Sequence, residues 1–348
     1  TNPSAGVLSG TATMAAVAGV ASFPGLSINR SGAGYALSAT SGALTPATSA
    51  AFNLNPGAAA KLGFTAQPTS TTAGVAIGPA IQVAVQDALG NTVTTSTASI
   101  ALAIGTNPSA GVLSGTLTVA AVAGVATFSG LTLDKTGVGY TLVATSGVLP
   151  SATSAPFNVD IAGAVKLGFS VQPASAAAGS SISPAVQVSV YDAFNNVVAG
   201  STASITLAVS TNPGGGTLAG TVTVAAVSGV ATFPILSIDK AGIGYTLVAT
   251  SGVLTPTPAS AAFNITSGAA AKLGFTVQPT SAIAGAALSP AFQVTVQDTL
   301  GNTVTGSTAS ITVAIGTNPS AGVLSGTATV AAVAGVASFP GLSINKSG

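Results

Sequence analysis

The sequence predicts an all-β fold class, tandem seven-stranded antiparallel β-sandwiches, on three observations. The 348 residues repeat with a period of 105 or 106. Apolar residues alternate with polar or small ones along short runs, which is the period of a strand and not of a helix. About seven such runs, each closed by turn residues, fit into one period.

Three markers report the period, which is sought first because it fixes the architecture. Lys-Leu-Gly-Phe begins at Lys61, Lys166 and Lys272, Thr-Asn-Pro begins at Thr1, Thr106, Thr211 and Thr317, and a Gly-Tyr pair ends at Tyr35, Tyr140 and Tyr245. They divide the chain into the second half of a repeat (1–56), two complete repeats (57–161 and 162–267) and the first three-quarters of another (268–348). Residues 1–32 and 317–348 differ only at Met14 versus Val330 and Arg30 versus Lys346, so the chain reads as an excerpt from a longer tandem array.

The elements follow in order through 57–161. Leu62, Phe64 and Ala66 alternate in a first strand that stops at Gln67-Pro68. Ile81, Val83 and Val85 make a second, which meets the turn sequence Asp87-Ala88-Leu89-Gly90-Asn91. Ile100, Leu102 and Ile104 make a third, ended by Thr106-Asn107-Pro108. Leu117 and Val119 lead into Ala123-Gly124, a tight-hairpin signal. Ala126 and Phe128 continue the strand, and the apolar parity switches to Leu131 and Leu133 across Ser129-Gly130, which predicts a bulge there. Tyr140, Leu142 and Ala144 form the sixth strand, Phe157 and Val159 the seventh. The predicted interior is Phe64, Ile81, Val83, Val85, Leu102, Phe128, Tyr140, Leu142 and Phe157, with Phe169 and Phe275 as equivalents elsewhere. Only about six residues join Val159 to Lys166, so the repeats are expected to form a semi-rigid string.

Composition removes most chemistry. The chain has 7 Lys or Arg, 6 Asp and a net charge of +1, with no Glu, His, Cys or Trp. Imidazole bases, thiolates, Cys/His zinc sites and haem ligation by His or Cys are therefore excluded. Seven dispersed cations cannot supply the counterion release that dominates nucleic-acid binding, so no nucleic-acid partner is expected. Mean hydropathy is high, +0.70, but Thr, Ser, Gly or Pro interrupts every apolar run, so no transmembrane segment of about 20 residues is predicted. Without Cys, each repeat must hold itself together by burial.

The segment Val-x-Val-x-Asp-x-x-Gly-Asn-x-Val, at Val83 to Val93 and Val294 to Val304, together with Gly-Val-Ala-x-Phe and a Gly-Tyr-x-Leu-x-Ala strand, resembles the bacterial immunoglobulin-like tandem domains of large surface and adhesin-type proteins, including the invasin and intimin type. The resemblance covers nearly the whole chain. It implies immunoglobulin-like sandwiches on an extracellular or cell-surface protein, in this chain without the usual Cys pair and strand Trp. A tyrosine corner is expected at Tyr35, Tyr140 and Tyr245.

No residue emerges as catalytic, cofactor-binding or metal-ligating. Asp87, Asp192 and Asp298 recur in one turn with Asn91, Asn195 or Asn302, too few oxygens for calcium, and are expected to cap a hairpin. Asp160 stands alone at a junction. Lys61 and Asn158 occupy first and last strands as in isopeptide-forming pilins, but strand parity points both outward. A Ser or Thr nucleophile has no base at hand, so no enzyme is expected and no cofactor. Asn29-Arg30-Ser31, Asn264-Ile265-Thr266 and Asn345-Lys346-Ser347 match the glycan-acceptor pattern only weakly. The expected role is structural, a stalk or the body of an extracellular filament whose partners are other copies of the chain. The alternative is an adhesin repeat region, with a glycan or cell-surface ligand met through domains outside this segment.

Overall fold

A computed structural model describes residues 1–348, and every regular element in it is a strand. No helix is long and apolar enough to cross a membrane. The chain divides into two compact units, Thr1–Ala162 and Gly163–Gly348.

In the first unit the strand Ile81–Gln86 lies between Lys61–Ala66 and Val125–Phe128, both antiparallel to it. A second sheet runs Thr118–Ala120, Ser99–Ile104, Leu142–Ser146, Leu149–Thr153. A third joins Gly137–Tyr140, Phe157–Asp160 and Thr71–Thr72. Alternation then decides burial: Ile81, Val83, Val85, Ile100, Leu102, Phe128, Leu142 and Phe157 all turn inward and are buried. The second unit repeats the three-stranded sheet as Lys166–Val171, Val186–Tyr191 and Val230–Phe233. There the other two sheets fuse into five strands, because Gly242–Thr250 runs unbroken where its counterpart is interrupted between Tyr140 and Leu142. One apolar cluster, including Val186, Val188, Phe233, Tyr245, Leu247 and Phe263, fills this sandwich. No buried side-chain nitrogen or oxygen lacks a hydrogen-bond partner.

The tight hairpin forms as predicted. Val122 and Val125 exchange backbone hydrogen bonds, and Ala123 and Gly124 both take positive φ, 49° and 81°, as a type I′ turn requires.

Four expectations are corrected. The parity switch at Ser129-Gly130 is not a bulge: Val125–Phe128 pairs with Ile81–Gln86, whereas Thr132–Leu133 pairs with Leu113–Ser114, so the chain changes sheets at Gly130, whose φ is 70°. Pairing is not antiparallel throughout, because Thr71–Thr72 lies parallel to Val159–Asp160, and Ala176–Ala177 to Ile265–Thr266. Phe64 and Phe169 are only half-buried; they sit on an edge strand whose register shifts at the next residue, and Leu62 and Leu167 take the core positions instead. Phe275 is 52% exposed. In 162–267 the matching edge is covered by Thr255, whose carbonyl accepts Leu167 N–H at 3.0 Å, and residues 268–348 contain no counterpart of that segment.

Candidate functional site: the aspartate turn between repeats

The Ile81–Gln86 strand ends in a reversal that its side chains stabilise. Asp87 N–H donates to Asn91 O (2.9 Å) and Gly90 N–H to Asp87 O (3.1 Å), with Gly90 at φ 84°, a conformation open to glycine. The Asp87 side chain is only 4% exposed, yet both oxygens are satisfied. Its Oδ1 accepts Leu89 N–H (3.0 Å) and Asn91 N–H (2.8 Å); its Oδ2 accepts Asn91 Nδ2 (2.9 Å) and Gly57 N–H (2.9 Å). Burial pushes the pKa up, but these donors outweigh it and hold the carboxyl at about 2. Asp298 repeats the set with Leu300 N–H, Asn302 N–H, Asn302 Nδ2 and Gly268 N–H, each at 2.9 Å, and its pKa is likewise lowered against the opposing effect of burial. The capping expected from the sequence is thus present, and no group of three or more acidic, His or Cys side chains gathers there.

One partner is reassigned. In 162–267 the asparagine that bonds Asp192 is Asn196, through Nδ2 (2.8 Å) and its N–H (2.9 Å). Asn195 stands instead where the other turns have Gly90 and Gly301, and carries their positive φ, 62°.

The turn also reaches out of its own repeat, which the sequence did not suggest. Asn91 Oδ1 accepts Ser31 N–H (3.1 Å), and its Nδ2 donates to Asn29 O (3.2 Å). In the second compact unit Asn302 Oδ1 accepts Ala241 N–H (3.0 Å) and its Nδ2 donates to Asp239 O (2.9 Å). Lys240 Nζ adds a bond to Leu300 O at 3.3 Å. Gly57 and Gly268, the first residues of their repeats, lie on the linking segments, so the Asp87 and Asp298 turns each hold the pre-tyrosine loop of one repeat, the connection and the start of the next. The recurrence of Asn after the turn glycine was the available signal, since φ alone needs only the glycine.

The loop that Asn91 or Asn302 grips is itself fixed by a tyrosine corner. Tyr35, Tyr140 and Tyr245 donate their hydroxyls to the carbonyls of Arg30, Lys135 and Lys240, five residues upstream, at 3.0, 3.0 and 2.9 Å. Burial raises the pKa of Tyr140 and Tyr245 above the ordinary value, keeping the donors protonated. A Cβ on Gly111 would lie 2.9 Å from the Tyr140 hydroxyl, which explains the glycine there. Asn107 closes the same loop, accepting Gly111 N–H (2.7 Å) and donating to Gly111 O (2.9 Å).

The remaining candidates have separate places. Lys61 Nζ contacts Ala88 O at 3.5 Å, whereas Asn158 Oδ1 accepts Gly139 N–H at 3.1 Å. In the acceptor-pattern matches, Asn29, Asn264 and Asn345 take Val7, Gly244 and Val323 N–H on Oδ1. Asp160 is exposed, and its carbonyl accepts Ala73 N–H at 2.9 Å.

No family model matches the chain, and no curated protein does. Among solved structures it is similar to the Escherichia coli adhesin FdeC, with 18% identity over 84% of this chain and 91% of that one and a TM-score of 0.33. A β-glycosidase from Bacteroides vulgatus matches with 13% identity over 59% of this chain but 24% of its own, at a TM-score of 0.26. Invasin, a bacterial integrin-binding protein, matches with 15% identity over 71% of this chain and 48% of its own, at 0.29. Likenesses this low carry no argument about activity, and the assignment of the chain to the all-β sandwiches stands on its strand pairing.

Proposed function

We propose that the chain is a structural repeat segment of a long secreted or surface-anchored bacterial protein, serving as a stalk or as the body of an extracellular filament. The observation that carries this reading is the repetition of one junction: the same side chains bind the same backbone groups at Asp87/Asn91 and at Asp298/Asn302. Polar side chains with defined geometry are spent on turns, linkers and loops, which is the use expected of a scaffold. In this reading the protein is not an enzyme and needs no cofactor.

Its partners are other copies of itself. Soluble domains commonly keep about a quarter to a third of their surface charged, whereas in this chain Ala88 to Leu133 carries no charge at all. Large apolar side chains also stand exposed in the complete repeats: Val122, Val138 and Val148, with Val227, Ile243 and Val253 as their counterparts. Electron microscopy of the purified chain and of native material tests the reading. Ordered filaments or laterally packed strings are expected; isolated flexible strings together with glycan-array or cell-adhesion binding would replace it with the adhesin alternative.

A further inference from the structure

We propose that the carboxamide of Asn302, and likewise that of Asn91, is the positioning group that holds two successive repeats in one fixed placement, separately from its part in the turn. Each carboxamide makes bonds of two kinds. Inward, Asn302 Nδ2 donates to Asp298 Oδ2 within its own repeat; outward, Oδ1 accepts Ala241 N–H and Nδ2 donates to Asp239 O from the repeat before. Asn91 does the same with Asp87, Ser31 and Asn29. An amide is the side chain suited to this, since it offers a donor and an acceptor a short distance apart in one plane. It matches the N–H and C=O that the pre-tyrosine loop exposes two residues apart, Ala241 and Asp239, or Ser31 and Asn29. That loop is in turn braced by the tyrosine hydroxyl on the residue between, Lys240 O or Arg30 O. The chain of bonds therefore runs without a gap from one sandwich's buried tyrosine to the next one's buried aspartate. The asparagine itself is buried, so water competes poorly for these bonds. The linker is tied at Gly268 or Gly57 by the aspartate alone, so losing the carboxamide leaves the turn with three of the four donors to its carboxylate.

The absence of cysteine makes the test direct, because two spin labels can be introduced without background. Labels on Val253→Cys and Val333→Cys, both highly exposed, report the distance across the 267/268 junction. Labels on Val323→Cys and Val333→Cys report the fold of 268–348 itself. The parent chain should give one narrow distance across the junction. Asn302→Ala should widen that distribution and remove its single maximum, while the pair within 268–348 stays narrow. Lys240→Ala, which removes only the exposed lysine bond, should leave both unchanged. An unaltered cross-junction distance in Asn302→Ala would overturn the proposal. So would broadening of both pairs together, since the carboxamide would then be a folding requirement of its own repeat.

Discussion

Replacing Asp87 by Ala removes one acceptor from four donors at once: Gly57 N–H, Leu89 N–H, Asn91 N–H and Asn91 Nδ2. A hydrogen bond to a charged group contributes about 1.5–3 kcal/mol, but four bonds to one carboxylate do not add. Leu89 and Gly57 are exposed, so their N–H groups can turn to water, whereas Asn91 is buried and its N–H and Nδ2 cannot. A loss of about 3 kcal/mol for repeat 57–161 at neutral pH follows, a large part of a typical domain stability of about 5–15 kcal/mol. With a urea slope of about 1–3 kcal/mol/M, the midpoint should fall by about 1–3 M. Urea titrations read through the amide cross-peaks of Val83 and Phe128 isolate this repeat from the others. The pH dependence has a definite sign. Asp87 has a pKa of about 2 in the folded protein against an ordinary value of 3.8. Its contribution is fully present above the unfolded value and is lost as pH falls from there through about 2. Parent and variant should therefore differ by a constant amount from neutral pH down to about 5, then converge between about 4 and 2. A neutral-pH difference below about 1 kcal/mol, or the same difference at pH 7 and pH 2, would refute the assignment of the turn's stability to this carboxylate.

Three further outcomes are expected. Phe128→Ala empties a fully buried site and should cost repeat 57–161 about 3–5 kcal/mol in the same titration; a cost near that of a surface substitution would mean the sandwich interior lies elsewhere. Tyr245→Phe keeps the ring beside Phe263 but deletes the bond to Lys240 O, so thermal unfolding of 162–267 should shift by the equivalent of about 1–2 kcal/mol, with the hydrogen exchange of Ala241 accelerated. Asn195→Gly and Ala110→Gly place glycine at φ 62° and φ 52°, as Gly90 and Gly215 already are at the matching positions, and should stabilise by about 0.5 kcal/mol each; destabilisation would show that those side chains make contacts worth more than the strain.

The strands that the sequence disclosed are those with one buried face and several residues. Ile81, Val83 and Val85 announce themselves because burial of alternate positions leaves a period-two pattern. Thr71–Thr72 left none, being two residues of β-structure held by a distant partner. Leu149–Thr153 was hidden by Pro150, which argues against a strand except at an edge, and an edge is where this strand lies. The parity switch at Gly130 was visible, but a sheet crossing and a bulge give the same switch in one dimension. Phe64 misled for a related reason: parity assigns a face, and the register shift beyond it changes how deeply that face is covered. For the junction, the sequence displayed the Asp, Gly and Asn of the turn and the tyrosine beyond it. It did not display that the asparagine bonds across to a loop about 60 residues earlier, because no local periodicity encodes contact between one repeat and another.

The short parallel pairing in each complete repeat bears on what happens under tension. Thr71–Thr72 follows the first strand and Val159–Asp160 ends the last, so the two segments lead toward opposite ends of the repeat. Ala73 N–H to Asp160 O, Asn158 N–H to Ser70 Oγ and Ala155 N–H to Gln67 Oε1 extend the seam. The 162–267 repeat has the same seam, from Ala261 and Gln172 to Ala178 and Thr266. Two strands joined in parallel and pulled from their outer ends slide along one another, so the bonds between them share the load and must give way together. The same number of bonds at the end of a hairpin would open singly. Each complete repeat thus carries a parallel clasp that ties the segment after its first strand to the end of its last.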